Sequence, residues 1–476
     1  MVVRAQWLWL VGALALLLAM PAIVNGFPLI FPDSGTYLVI AFGREYAIDR
    51  SSFYGLMWKP FVTTVPGGGG LWLALAAQLL VVAAVLVVAL RFALPGSGAR
   101  RSLPWILPVV LLTSLPWHAA QIMPDAFTGA VVLLAWLAAS RDPADDGAAL
   151  LWTCAALLAT THYTHPALLG AATAGAVAAQ LAVGLGWRGA LRRLFAGAAA
   201  AALAAGAMTA ANGIALGRWT LSPTGGVFLF ARAHEDGLMK PWFDRHCGRD
   251  APAELCAARR EMADDSQQLL WGDGRSPVTR HIWQARDDAE RWRWADMMTD
   301  AVHGAIREAP VAFLRSAATG AFEQLGHFAA VDDECPAGCH EMTGGIAFAL
   351  NRYRPELLPA LMDSMQVRDT TPKALVRTVS GVLTLGALAL LPALLWRAFR
   401  RRDGALAGLF VAVTSALIAN AIMAGALSDV HDRYQSRLIW LVPLAVLLGV
   451  ARLRKCSAIS ARARRDLPAG STVQPN

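Results

Sequence analysis

The sequence predicts an all-α polytopic membrane protein with about ten transmembrane helices and an α-rich external domain between spans 7 and 8. Three observations predict it. Apolar residues fill 56% of 476 positions and charged ones only 16%, with mean hydropathy +0.44, where a soluble domain carries roughly 25% charge. The apolar residues collect in runs, most near the roughly 20 residues that cross hydrocarbon as a helix. The polar stretches between them lack the alternation of a sheet.

The runs fall at residues 7–31, 70–92, 103–118, 125–140, 148–162, 166–187, 194–216, 377–396, 404–427 and 438–451, the third to fifth being short. They divide the chain into an N-terminal transmembrane module (1–216), an external helical domain (217–376), a C-terminal transmembrane module (377–452) and a cytoplasmic tail (453–476), disordered from 456. The first run is too long for the apolar core of a signal peptide and is read as a span. "GGGG" at 67–70 reads as a flexible lead into the second.

Charge then sets orientation. The net charge of +8 and pI near 9.5 come from Arg in short clusters between apolar runs, with no basic stripe interleaved with aromatics, so nucleic acid is excluded as a partner. Arg91, Arg100, Arg101, Arg141, Arg188, Arg192, Arg193, "RAFRRR" (397–402) and the basic tail fall on one side. The alternate short connections hold only Arg44, Arg50, Lys59, Arg433 and Arg437. Positive residues stay inside, which makes both termini cytoplasmic and 217–376 external. The Ala, Arg and Gly usage fits a high-GC bacterium, whose inner membrane would carry the chain with its external side in the periplasm.

Cys247, Cys256, Cys335 and Cys339 all fall in the external segment, where disulfides form. Local pairing gives Cys247–Cys256 and Cys335–Cys339, and a structural zinc site using His246 or His340 competes with it. Residues 251–270 and 278–309 read as charged helices. The stretch 310–330 opens with Pro310 at a first helical position; it is either a packed helix of the domain or one lying on the membrane through Phe313, Leu314, Phe322 and Leu325.

The chemistry-bearing residues share the external side. Asp33 in "FPDSGTYL" follows the first span, and Asp125 in "MPDAFTG" opens the fourth. "THYTH" (161–165), with His162 and His165, separates the fifth and sixth; "SDVHDRYQSR" (428–437), with His431, Arg433, Tyr434 and Arg437, precedes the last. Apart from Arg91, Asp125 and Arg377 at their margins, the runs contain no Asp, Glu, Lys or Arg, and their polar residues are such as Gln78, Asn212 and Asn420. Coupled transporters keep ionisable groups at the midplane, so a transporter is disfavoured.

This arrangement resembles the GT-C superfamily of membrane glycosyltransferases, which includes protein O-mannosyltransferases and lipid A aminoarabinose transferases. The likeness rests on Asp33 in "PDSGTYL" just after the first span, Asp125 at the turn before the fourth helix, the polar basic stretch "DVHDRYQSRLIWLVP" late in the chain, and the external domain between the seventh and eighth spans. It departs at Ser34, where many relatives carry a second acidic residue. The resemblance implies transfer of a sugar from a polyprenyl-phosphate donor in the membrane lipid to a glycan, lipid or protein acceptor on the external face. Asp33 is then the base that takes the acceptor's proton, and Asp125 a second carboxylate that positions acceptor, metal or Asp33. Arg433 and Arg437, with His431, hold the donor phosphate. Tyr37 and Tyr434 would stack on a sugar ring, Arg44 and Lys59 add positive charge, and His162 and His165 line the cleft. No cofactor is required by the sequence, and a divalent metal stays open because both habits occur in the superfamily.

Plainer readings compete for the same residues. Asp33 and Asp125 both follow Pro and read as helix N-caps. Arg433 and Arg437 read as interface anchors paired with Asp429 and Asp432, and His162 and His165 with Asp125 as a metal set. Residues 50–55 and 59–64 read as a re-entrant or interfacial loop with Trp58 and Phe61 among the headgroups. The alternative functions are a non-enzymatic flippase or surface-polymer assembly factor, or another external-face transferase for lipid-linked substrates. Convergence of Asp33, Asp125, Arg433 and Arg437 on one external cleft is what separates chemistry from capping.

Overall fold

A computed structural model describes residues 2–43, 45–65, 67–272, 274–331 and 345–465, with side chains described between 5 and 455. Arg44, Cys335, Cys339 and His340 lie outside these residues. Among the described residues the chain is helical without a strand, and Leu29 and Gln121 form an isolated parallel bridge. Six stretches are long and apolar enough to cross a membrane: Ala5–Asn25, Gly68–Ala93, Trp187–Leu216, Lys373–Arg400, Gly404–Leu427 and Asp432–Lys455. Pro124–Ala139 and Asp146–Ala159 are shorter apolar helices. The chain is thus a multi-pass membrane protein, with its backbone polar groups satisfied inside helices.

The first part of the chain runs through α1 (Val2–Asn25), α2 (Ser34–Phe42), α3 (Phe53–Thr64), α4 (Gly68–Ala93), α5 (Ala99–Leu112), α6 (Leu115–Ala119), α7 (Thr128–Ala139), α8 (Asp146–Ala159), α9 (His165–Ala182) and α10 (Trp187–Leu216). Several sequence expectations are corrected here. Helix α1 stops at Asn25, short of 31, because Gly26 takes φ +79°, which costs Gly little. Gly68–Gly70 belong to α4 instead of forming a flexible lead. Residues 53–64 are one helix, and Trp58 is buried beside Tyr54, with ring centroids 5.8 Å apart, so its indole packs inside the protein and is not exposed.

The next part has its own apolar core, in which Phe230, Trp242, Phe243, Leu269, Trp294 and Met298 are buried together. It comprises α11 (Gly225–Glu235), α12 (Met239–His246), α13 (Ala253–Ala258), α14 (Ser266–Trp271) and α15 (Asp288–Glu308). The two long helices expected here are broken by capping aspartates. Asp265 accepts from Gln268 N at 2.8 Å to start α14, and Asp287 from Glu290 N at 2.7 Å to start α15. The Cys247–Cys256 disulfide is present.

His246 is not available to zinc. Its Nδ1 lies 2.8 Å from Asp250 and its Nε2 2.5 Å from Glu308, so both ring nitrogens are taken. Hydrogen bonds to Asp250 and then Glu308 raise its pKa above the ordinary 6.5. A raised folded-state value stabilises the fold fully below pH 6.5 and stops doing so as pH climbs through the folded value. His246→Gln is therefore expected to melt below wild type at pH 6 and to converge on it at alkaline pH. Parallel pH dependence of the two melting temperatures would refute the clamp.

After α15 come α16 (Pro310–Gly326), α17 (Gly345–Tyr353), α18 (Leu358–Met362), α19 (Lys373–Arg400), α20 (Gly404–Leu427), α21 (Asp432–Ile439) and α22 (Leu441–Arg465). Helix α16 packs on α20 where Gly320 meets Gly425 backbone to backbone, while Val311, Leu314 and Phe322 stay exposed. The expected disorder is corrected over 456–465, where α22 continues to Arg465 through an Ala- and Arg-rich stretch of high helix propensity; 466–476 lie outside the described residues.

Candidate functional site

The loop that follows α1 is stitched to the loop before α7. Leu29 N donates to Ala120 O at 3.1 Å, and Ile122 N donates to Leu29 O at 2.8 Å. Ser34 Oγ donates to Ile122 O and accepts from Phe31 N, both at 2.9 Å. Two segments distant in sequence are thereby held side by side, which brings Asp33 and Asp125 into one neighbourhood. Neither carboxylate caps its helix, so the capping reading is corrected.

Both aspartates face α21. Arg433 and Arg437 stand one turn apart on it and so share a face. Arg433 bridges the two loops: its Nη1 and Nη2 lie 3.1 and 3.2 Å from Asp33 Oδ2, and its Nε 3.1 Å from Asp125 Oδ2. Arg437 Nη1 donates to Asp125 Oδ1 at 2.6 Å and Nη2 to Asn420 Oδ1 at 2.9 Å. Asn420 in turn donates to Gln435 Oε1 at 2.7 Å and Tyr434 O at 2.6 Å. The anchors expected for the two arginines, Asp429 and Asp432, are replaced by Asp33 and Asp125.

A third guanidinium completes the network. Arg50 Nη1 lies 2.5 Å from Asp33 Oδ2, and its Nη2 2.9 Å from Asp49. Sequence reasoning counted Arg50 as an external charge and passed over it as a site residue. Its main partner, Asp33, belongs to another loop, and only the adjacent Asp49 hinted at pairing. Asp49, Asn420, Gln435 and Thr164, the last 3.5 Å from Arg437 Nη2, were missed likewise. Thr164 and Gln435 lie inside "THYTH" and "SDVHDRYQSR" but beside more conspicuous residues, and no local motif marks Asp49 or Asn420.

The network is graded in exposure. Asp33 and Arg50 are 18% and 16% exposed at the side chain, Arg433 9%, Arg437 1% and Asp125 0%. The Asp125–Arg437 end is an interior brace, and the Asp33–Arg50 end is the one a ligand can reach. Burial by itself would raise the Asp33 pKa, but Arg50 and then Arg433 outweigh it and hold the carboxyl below its ordinary value. Burial raises that of Asp49, against the pull of Arg50. Aromatic faces flank the cations: Arg433 lies 3.9 Å over Phe31, and Tyr434 is within 5.6 Å of both Arg433 and Arg437.

The other expected site residues are placed as follows. His431 turns away to Asp429, at 3.2 Å, a carboxylate also approached by Arg232 and Gln267. It therefore leaves the proposed phosphate clamp, because the nearer acid draws its ring. Lys59 donates to the carbonyl of Gly43. Tyr37 is buried with its ring edge-on to Tyr54 at 4.9 Å, so its face is not open to a sugar. His165 is buried, bonded to Thr128 at 3.0 Å. His162 Nδ1 meets Thr164 Oγ1 at 2.8 Å and borders the network through it. No group of three or more His, Cys, Asp and Glu able to hold a metal ion occurs among the described residues, so His162, His165 and Asp125 do not form a metal set.

Compared with known proteins, the chain matches no family model, no curated protein and no solved structure.

Proposed function

We propose that the chain is an integral-membrane glycosyltransferase of GT-C type that moves a sugar from a polyprenyl-phosphate donor to an acceptor hydroxyl at the external face. The observation that supports this reading is the convergence of Asp33, Asp125, Arg433 and Arg437, joined by Arg50, from loops far apart in sequence. Isolated helix ends and interface anchors have no need to meet. Ten crossings, with 217–376 external in the periplasm and both termini cytoplasmic, complete the reading.

The donor is a phosphodiester with one negative charge, and its leaving phosphate gains a second. Arg50 and Arg433, at the exposed end, are the cations for that charge, since guanidinium forks suit phosphate oxygens. Arg437 is wholly enclosed and serves to hold Asp125 and α21 in place. In the resting network Asp33 is a weak base because two guanidiniums neutralise it. As the phosphate draws them off, the carboxylate regains basicity and takes the acceptor's proton while the acceptor oxygen displaces the phosphate at the sugar carbon. An apolar groove of about 240 Å³ between α1, α5 and α6, lined by Leu17, Met20, Val24, Val110, Leu111 and Trp117, reaches Leu29 on the segment leading to Asp33 and suits an isoprenoid tail.

The reading is tested by incubating the purified protein with radiolabelled polyprenyl-phosphate sugars and a cell-envelope acceptor extract. Transfer from none of the donors overturns it. Arg50→Gln is expected to raise the donor KM about tenfold through the charge already on the donor, and to lower kcat as well, because the contact strengthens as the phosphate gains its second charge. An unchanged KM removes Arg50 from the clamp.

A further inference from the structure

A second cluster of cations occupies the opposite end of the bundle. The C-terminal turn of α4 brings Arg91 beside Trp7 at the start of α1, with the guanidinium 5.2 Å from the ring centroid. This is the far end of α1 from Asp33, Trp7 lying roughly 27 Å along the helix from Asn25 at 1.5 Å per residue. A cavity of about 570 Å³ opens there, lined by Val88, Arg91, Phe92, Pro95, Arg141 and Arg452.

Its charges are incompletely matched. Arg452 is held by Asp403, with contacts of 2.5 and 3.1 Å, and donates to the carbonyls of Phe92 and Ala93. Arg141 meets the half-exposed Asp145 at 3.3 Å through one terminal nitrogen, and its Nε is buried without a hydrogen-bond partner. Arg91 pairs with no carboxylate among the described residues. Lys455 adds another positive charge at the rim, where it donates to the carbonyl of Pro95. The cavity thus has more cations than anions. Phe92 forms an apolar floor, packed edge-on against Trp136 at 5.3 Å.

We propose that this cavity binds the phosphate of an anionic phospholipid headgroup. A phosphodiester supplies the missing charge and the acceptor for Arg141. The apolar wall continues along α4, whose Leu80 and Val81 are exposed toward the middle of the span, and gives the acyl chains a surface that a free phosphate would leave unused. Basic pockets between membrane helices on the Arg-rich side hold lipid headgroups in this way. The cavity's occupancy is independent of the transferase reading, because no residue is shared with the Asp33 network.

Native mass spectrometry of the full chain in neutral detergent tests this, with phosphatidylglycerol, phosphatidylcholine and inorganic phosphate as probes. Wild type is expected to bind phosphatidylglycerol at least about tenfold more tightly than phosphatidylcholine, and Arg91→Gln/Arg141→Gln to lose about that preference. Arg188→Gln/Arg192→Gln, at exposed sites that do not line the cavity, is expected to keep it. Equal loss in both pairs of variants, no preference in wild type, or displacement of the lipid by equimolar phosphate would overturn the proposal. Should the double variant melt below wild type, Arg91→Gln alone decides, since this side chain is exposed and pairs with no carboxylate among the described residues.

Discussion

Arg437→Leu is expected to destabilise the protein by about 3–5 kcal/mol, the usual cost of leaving a buried charge without its partner. Arg437 and Asp125 are 1% and 0% exposed, and they meet at 2.6 Å. Removing the guanidinium strands Asp125 Oδ1 and frees Asn420 Oδ1 inside the bundle. The companion expectation is directional: Asp125→Leu/Arg437→Leu, which removes both charges, should be more stable than Arg437→Leu alone. Thermal melts in one detergent, read by helical circular dichroism, decide the matter. A single variant that melts with wild type would show that the pair is solvated.

Asp33→Asn is expected to abolish sugar transfer, by roughly 10²–10⁴-fold in kcat, the range lost with a positioned general base. An amide keeps the size of the side chain and still accepts from Arg50 and Arg433 through its oxygen, so fold and donor binding should largely persist. What disappears is the site for the acceptor's proton. The informative readout is the split between the two constants: kcat falls while donor KM stays within a few-fold. Transfer at the wild-type rate would end the assignment of Asp33 as base.

Much of the fold was legible because a bilayer imposes a coarse code. Long uncharged runs must be helices, and those at 7–31, 70–92, 194–216, 377–396 and 404–427 all have a long apolar helix. Their ends were less legible. The stop of α1 depends on Gly26 alone, and the breaks at Asp265 and Asp287 on single caps inside charged stretches. At the site, Asp33, Asp125, Arg433 and Arg437 stood out because a charge beside an apolar run is conspicuous. The last apolar segment, Asp432–Lys455, begins ahead of the run at 438–451 and takes Arg433 and Arg437 into its helical stretch. Arg50 and Asn420 were hidden for the opposite reasons: one is an ordinary loop charge, the other an ordinary polar residue in a span. Only the meeting of loops from different parts of the chain gives them meaning, and pairing across such distances leaves no periodic mark.

Helix α16 has a consequence for how the network moves. Gln324 is buried and holds both backbone groups of His431, donating to its oxygen at 2.8 Å and accepting from its nitrogen at 3.0 Å. That residue is the hinge point immediately ahead of the helix bearing two of the arginines. With Gly320 and Gly425 in backbone contact, α16 is seated closely on α20, so α16, α20 and the start of α21 are tied together. A tilt of its exposed Val311 and Leu314 end would be passed to α21 as a rotation, turning the guanidiniums toward or away from Asp33.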